Sequence, residues 1–399
     1  MEKLNYKKTF LLGFGFFAIA ITWSVYNAFM PILLGNFIKS SALIGFIMTV
    51  DNYLALFIQP TVGIFSDRID TRFGKRMPFL MIGMPLAVIF TFLIPSHRTL
   101  LTLIIFILLM NLSMSLFRSP VIALMPDITH ESNRSKANSI INFMGGIGSL
   151  IAFFIGSILW GYNKAYPFYL ASFLVLLSFV VLFFFIKEKR DVVHYKASEE
   201  KVHILKGILS GLKNKNIRNL LFAICSWFIG YNGIETFFTR YGENFLGVPA
   251  NMASMSFAFM SLSFLVFAIP AGLIGTKLGK KKAIVTGIIG LIIVFIILAT
   301  LRSILLIRVC FLFSGFFWSM ININSYPFVA EMAPKGSIGT YTGLYYLFSS
   351  VAAIISPPLL GGIMDTLGYK YMFLYGALFF ILALFFISLV KSKNYISNN

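Results

Sequence analysis

Charge is scarce in this chain: only 12% of its 399 residues are Asp, Glu, Lys or Arg, about half the share of an average soluble domain. Cysteine is nearly absent, and Cys225 and Cys310 both lie in apolar runs, which excludes a disulfide scaffold. Histidine is scarce too, with four residues. His97, His130, His194 and His203 all fall in connections between apolar runs, so neither a histidine relay nor a His/Cys metal cluster is expected. The apolar runs hold no nucleophile–base pair, and there is no phosphate-cradling loop, which argues against an enzyme and against any cofactor. What is abundant is apolar: 58% of residues are hydrophobic, 45 are Phe, and mean hydropathy is +0.86. Too little polar surface exists to coat a soluble globule, and the chain is too hydrophobic for disorder. A polytopic membrane protein remains.

The formal charge of +19 would suit a nucleic-acid binder only if the basic residues shared one face. They are spread between long apolar runs instead, so no nucleic-acid partner is expected. Crossing about 30 Å of hydrocarbon takes roughly 20 helical residues. Twelve runs qualify, near 10–37, 42–65, 79–95, 100–125, 137–160, 166–186, 219–241, 251–275, 283–300, 303–328, 338–363 and 370–390. Each is expected to be helical, because backbone groups in lipid need partners within the segment. The first run follows Lys3, Lys7 and Lys8 as a signal peptide would, but it is too long and lacks a small-residue cleavage site. With the N-terminus inside, 25 Lys and Arg fall on the cytoplasmic side and 7 on the other. That bias predicts a multi-pass protein of the cell membrane with both termini cytoplasmic. Residues 187–218 read as a cytoplasmic linker with a short amphipathic helix at 201–213. It separates a six-helix bundle over 1–186 from another over 219–399.

The halves repeat at an offset near 205–209 residues. Trp23-Ser-Val-Tyr26-Asn27 in the first span is answered by Trp227-Phe-Ile-Gly-Tyr231-Asn232 in the seventh. The run GIFSDRIDTRFGKR (63–76) is answered by GLIGTKLGKK (272–281), and Pro120 with Asp127 by Pro327 with Glu331. This arrangement resembles the major facilitator transporters: two pseudo-symmetric all-α bundles of six transmembrane helices, with solute bound near the midplane between them. The run from Gln59 to Phe79 and the exit of the fourth span (Arg118-Ser-Pro120 to Asp127, then Arg134 to Asn138) resemble the sucrose–proton symporters and their bacterial relatives. These belong to the glycoside–pentoside–hexuronide cation symporters. The resemblance implies uptake of a sugar or glycoside with a cation. Plant-type members carry an Arg where this chain has Ile122. Melibiose-type sodium symporters carry paired aspartates at the positions of Ala55 and Gln59, so a sodium site of that type is not expected, and the coupling ion is read as a proton.

The cytoplasmic motif is read as a gate. Gly63 lets the second span approach a partner closely. Asp67 can face the N-terminus of the eleventh span. Gly74 belongs to the same motif, and Arg68, Arg72, Lys75 and Arg76 can pair with Asp127 and Glu131. Such contacts, made only when the cytoplasmic side is closed, bias the conformational equilibrium.

Well inside the spans, away from their ends, the ionisable residues are Asp51, Arg118 and Glu235. Charges there are costly unless they face a cavity or a partner. At about 1.5 Å per residue, and with side chains leaning toward their helix N-termini, all three heads tend to the middle layer. Asp51 is read as the proton acceptor and Arg118 as its modulator: solute that draws the guanidinium away leaves a lone carboxylate, which takes a proton. A permanent Asp51–Arg118 pair is the plainer reading, and Glu235 is the alternative proton site. A sugar needs apolar faces and fixed hydrogen-bond partners. Trp23, Tyr26, Asn27, Trp227, Tyr231 and Asn232 offer both, with Gln59, Asn111, Asn142, Asn322 and Asn324 as further polar groups. Trp160 reads as a lipid-facing or packing residue, and the glycines at 145, 146, 148 and 156 as close-packing positions. The expected partners are a small solute, a proton and the bilayer, with a monomer as default. The alternatives are a proton-coupled drug or metabolite exporter, whose family motif places Gly-Pro on the fifth span where this chain has no proline, and a lipid carrier.

Overall fold

The structure is a computed structural model. It describes residues 4–130, 133–191, 213–333 and 338–391, except the side chains of residues 135, 338 and 339. Glu131 and nearly all of the anticipated 201–213 helix lie outside the described residues. Among the described residues twelve helices are long and apolar enough to cross a membrane. They are α1 (Tyr6–Gly35), α2 (Ser41–Arg68), α3 (Met77–Leu93), α4 (Leu100–Asp127), α5 (Arg134–Tyr162) and α6 (Tyr166–Phe185). The second set is α7 (Lys215–Tyr241), α8 (Ala250–Leu278), α9 (Lys280–Thr300), α10 (Ile304–Met332), α11 (Ile338–Thr366) and α12 (Met372–Ser388). These are the twelve anticipated runs, several extended by a turn. The side carrying the α2–α3, α4–α5 and α8–α9 connections is called the basic face below, and the other the opposite face.

One helix is interrupted. α2 breaks at Thr49, whose hydroxyl bonds back to the Phe46 carbonyl at 2.9 Å. The break gives the lower part of α2 its own first turn inside the membrane, and Asp51 occupies it. Unpaired N–H groups of a first turn favour a carboxylate.

Helix crossings are made close by glycine, as expected where apolar faces alone must hold helices together in lipid. Gly148 of α5 packs on the Phe17 carbonyl of α1, and Gly146 lies against Leu265 of α8. Gly287 of α9 faces the Phe317 carbonyl of α10, and Gly315 of α10 faces the backbone of Met260 and Phe264 on α8. Trp160 packs rather than facing lipid: it is buried and stacks on Phe29 with centroids 4.4 Å apart.

Among the described residues, the hydrogen bonds that join the first six helices to the last six lie at the opposite face. There Ser157 of α5 meets Ser254 of α8 at 2.7 Å, and the α1–α2 connection is held from α7 and α11. Towards the basic face the halves part. Gly343 stands five helical turns before Gly361, on the face of α11 that meets α2, yet nothing approaches it within 4 Å. Asn142, one turn before Gly146 on the α8-facing side of α5, is exposed. The space between the halves is therefore shut at one face and open at the other.

Because a leucine side chain at Gly315 would have to displace α8 backbone, Gly315→Leu is expected to destabilise the second half by at least about 1–3 kcal/mol. A lowered thermal midpoint of the purified protein in detergent checks this.

Candidate functional site in the chamber between the halves

α1 and α7 are the most enclosed of the twelve helices, so a partly exposed stripe on either faces an internal space. On α1 the stripe holds Phe16, Trp23 and Asn27. On α7 it holds Phe228, Tyr231, Asn232 and Glu235. The spacings of three, four and seven residues put each set on one helix face. Tyr26 and Trp227 sit to the side of these stripes, about 80–100° round the helix, and are almost wholly buried, at 1% and 0% exposure. The expectation that Trp227 lines the chamber is thus corrected: it is a core residue of the second half. The physical reason is one extra residue between Trp and Tyr in the α7 copy of the repeat, which turns the two aromatics by about 100° relative to α1.

Asn324 is also corrected. Its amide donates to the carbonyls of Ala271 (3.1 Å) and Met320 (2.9 Å), and its head occupies the space left by Gly275 of α8. It cements α8 to α10 and has no donor left for solute. Asn322 and Gln59 are half-buried, while Asn142 is exposed and bonded to the Asn138 carbonyl at 2.8 Å.

In the first half a polar cluster forms at one level. Asp51, Asn111 and Tyr26 lie about 14–17 Å from the opposite-face ends of α2, α4 and α1. The Tyr26 hydroxyl and the Asn111 amide are neighbours. Neither makes a hydrogen bond of normal geometry, and the same holds for the indole N–H of Trp23, which packs edge-on to Tyr26 at 5.6 Å. Buried polar groups of this kind ordinarily find partners. The Asp51 carboxylate accepts from Asn52 Nδ2 at 2.9 Å and interacts electrostatically with Tyr26 and with Arg118. Arg118, deeper on α4, is not within the 4.0 Å of an ion pair with Asp51, so the two interact here without forming a bonded pair. Arg118 also faces Tyr346 of α11, across the gap between the halves.

The second half presents a different surface. Tyr231 stacks flat on Trp318 of α10, centroids 4.1 Å apart with parallel planes. Glu235 stands one turn beyond Tyr231 and interacts with it. Among the described residues no cation lies within 4.0 Å of Glu235. Trp318 and Tyr346 were missed from sequence. Trp318 stands four residues before Asn322, a one-turn aromatic–amide spacing that could have marked it, whereas Tyr346 carries no signal among the many tyrosines of its run.

At the basic face only part of the anticipated pairing forms. Arg76 Nε donates to Asp127 at 2.9 Å, and the same guanidinium pairs with Asp67 and the Ser66 hydroxyl. Asp67 is therefore held within its own half rather than at the start of α11, because the halves are apart here. Arg68 and Lys75 are exposed without an acidic partner among the described residues, and Arg72 lies over the Phe73 ring at 4.7 Å. Gly63 touches only Ser119 of α4. Gly74 takes φ +114°, and its missing side chain makes room for Glu188. That buried carboxylate, unforeseen, accepts the backbone N–H of Lys75 (2.8 Å), Arg76 (2.9 Å) and Met77 (3.0 Å), and so caps α3. The second half repeats the ion pair: Lys280 and Glu331, each 204 residues after Arg76 and Asp127, are bonded to each other.

Two related sets of six helices around a polar chamber that opens to one face define a membrane transporter. The profile of the Major Facilitator Superfamily matches residues 12–357 and again 246–398, and the chain belongs to that superfamily. It is 25% identical over 282 residues to the multidrug resistance protein 2 of Bacillus subtilis, covering 68% of each chain. It is 27% identical over 140 residues to the sucrose transport protein SUC3 of Arabidopsis thaliana, covering 30% of this chain and 24% of that one. The crystal structure of the nucleoside transporter NupG superposes with a TM-score of 0.76 at 15% identity, over 97% of this chain and all of that one.

An amide buried without partners costs about 1–3 kcal/mol. Asn111→Leu is therefore expected to raise the thermal midpoint by about 1–4 °C while transport falls, a combination that a purely structural asparagine would not produce. Thermal unfolding and transport assays on the same preparation check it.

Proposed function

We propose that the chain carries out proton-coupled symport of a sugar or glycoside by alternating access, in the cell membrane, with its basic face and both termini in the cytoplasm. The surplus of Lys and Arg at one face supports the orientation, and under it the present conformation is inward-open. The observation that carries the coupling is the loose relation of Asp51 and Arg118: near enough to feel each other, not bonded, and surrounded by polar atoms without partners. With the guanidinium close, Asp51 stays ionised. A solute whose hydroxyls engage Arg118 and Asn111 draws that charge away, and the carboxylate then neutralises itself by taking a proton. Glu235 serves as a second proton-accepting group on the other wall. Trp23 and the Tyr231–Trp318 pair supply flat surfaces for the C–H faces of a sugar ring, and Asn27 and Asn232 supply hydrogen-bond partners. The cytoplasmic gate closes when Asp67, held here by Arg76 of its own half, meets the start of α11 instead. The partial likeness to the sucrose transport protein of Arabidopsis supports the solute class.

A second reading, proton-coupled drug export, is favoured by the longer match to the Bacillus multidrug resistance protein. It uses the same carboxylates with the opposite direction of net flux.

Uptake into proteoliposomes with a sugar panel, under imposed pH or sodium gradients, separates the readings. A proton gradient is expected to drive one sugar above its equilibrium level, and accumulation of no sugar under either gradient would overturn symport. Asp51→Asn is expected to abolish that accumulation yet leave sugar-for-sugar counterflow within about threefold of wild type, because binding and rocking do not need the proton.

A further inference from the structure

The closed opposite face is held by charges at helix ends, and none of them was marked by the sequence. Asp365, in the last turn of α11, reaches the start of α2. Its carboxylate accepts the backbone N–H of Ser41 (2.7 Å) and Ala42 (3.0 Å) and the Ser40 hydroxyl (2.8 Å). A negative group is thus set on the N-terminus of a helix of the other half, where unpaired N–H groups favour it. Arg240, at the end of α7, does the converse at the end of α1. Its guanidinium is buried and donates to the carbonyls of Lys39 (3.2 Å) and Pro31 (3.5 Å), while Nε donates to the Tyr369 hydroxyl at 2.8 Å. Gly35 makes the room: a Cβ there would lie 2.7 Å from Arg240 Nη1. One turn deeper than Asp365, Gly45 of α2 lies on the backbone of Pro357 and Pro358, and Gly361 of α11 lies on that of Ser41 and Ala42.

We propose that Asp365 and Arg240 form the latch of the opposite face, made in this conformation and released each time the chamber opens on that side. Both charges come from the second half. The first half offers main-chain groups and one hydroxyl, so the latch carries no charge of its own on that side to re-pair once it opens. Asp67, at the other end of α2, is meanwhile bound by Arg76 of its own half. The assignment needs only that the chamber opens to each face in turn, and it stands whether the solute is a sugar or a drug.

The test is the distance distribution between spin labels in lipid nanodiscs, with Cys225 and Cys310 replaced by Ser. Labels at Asn36→Cys and Lys370→Cys report the opposite face; labels at Lys75→Cys and Lys282→Cys report the basic face. Asp365 is exposed, so Asp365→Asn is expected to move the closed-to-open ratio of the opposite face about threefold toward open. Arg240→Gln removes buried charge-assisted bonds and is expected to move it on the order of tenfold. The basic-face labels are expected to approach in step, and Asp365→Glu is expected to restore the wild-type distribution. Should Arg240→Gln not fold, Gly35→Ala tests the same contact by crowding the guanidinium and is expected to act in the same direction. Wild-type distributions in folded Asp365→Asn, together with wild-type distributions in whichever of Arg240→Gln and Gly35→Ala folds, would overturn the latch.

Discussion

Hydrocarbon offers no hydrogen bonds, so each polar group carried into it must find a partner in the chain or face a space that can hold water or solute. Most polar side chains of the twelve helices obey by bonding to the carbonyl one turn back, as Thr22, Ser113, Ser178 and Ser314 do. Among the exceptions, three gather in the first half, where the Trp23 indole, the Tyr26 hydroxyl and the Asn111 amide make no hydrogen bond of normal geometry beside Asp51 and Arg118. The rest of the architecture holds that cluster in place. Glycine crossings bring α5 against α1 and α10 against α8, and the break at Thr49 turns Asp51 into a first-turn residue at depth.

The same constraint explains the division of labour between faces. Where loops meet water, charges are affordable, and the chain uses them at helix ends. Glu188 caps α3 within the first half, Arg76 joins α2 to α4, and Lys280 with Glu331 repeats that tie in the second. These bonds make each half a unit at the basic face without joining the halves to each other. At the opposite face the charged contacts cross between halves instead. Rigid units linked at one end only are what rocking about a central site requires.

The twelve spans, the repeat and the intramembrane charges were legible because each rests on a local signal: run length, loop charge, or an ionisable residue where none is cheap. Less legible was which side of a helix a residue faces when the repeat is imperfect. Trp227 matches Trp23 in sequence, yet the extra residue before Tyr231 rotates it into the core. Asn324 looks like a binding group until the small residue opposite, Gly275 on another helix, is known to hold it. Glu188 and Asp365 act on helices far from them in sequence, at separations of 111 and 324 residues for the Met77 and Ser41 amides, and no local pattern announces such a cap. Composition and spacing speak to the segment that carries them, and are silent on what a side chain meets after the chain has doubled back.

Gly35 and Arg240 are 205 residues apart, the same offset that relates Asn27 to Asn232. By that offset they are corresponding positions of the two copies, and here the position meets its own counterpart. Two verbatim copies would set guanidinium against guanidinium there, or leave facing glycines with nothing between them. The two copies differ at this site, one leaving room and the other filling it with bulk and charge. A two-fold protein of this kind cannot stay self-identical where it touches itself.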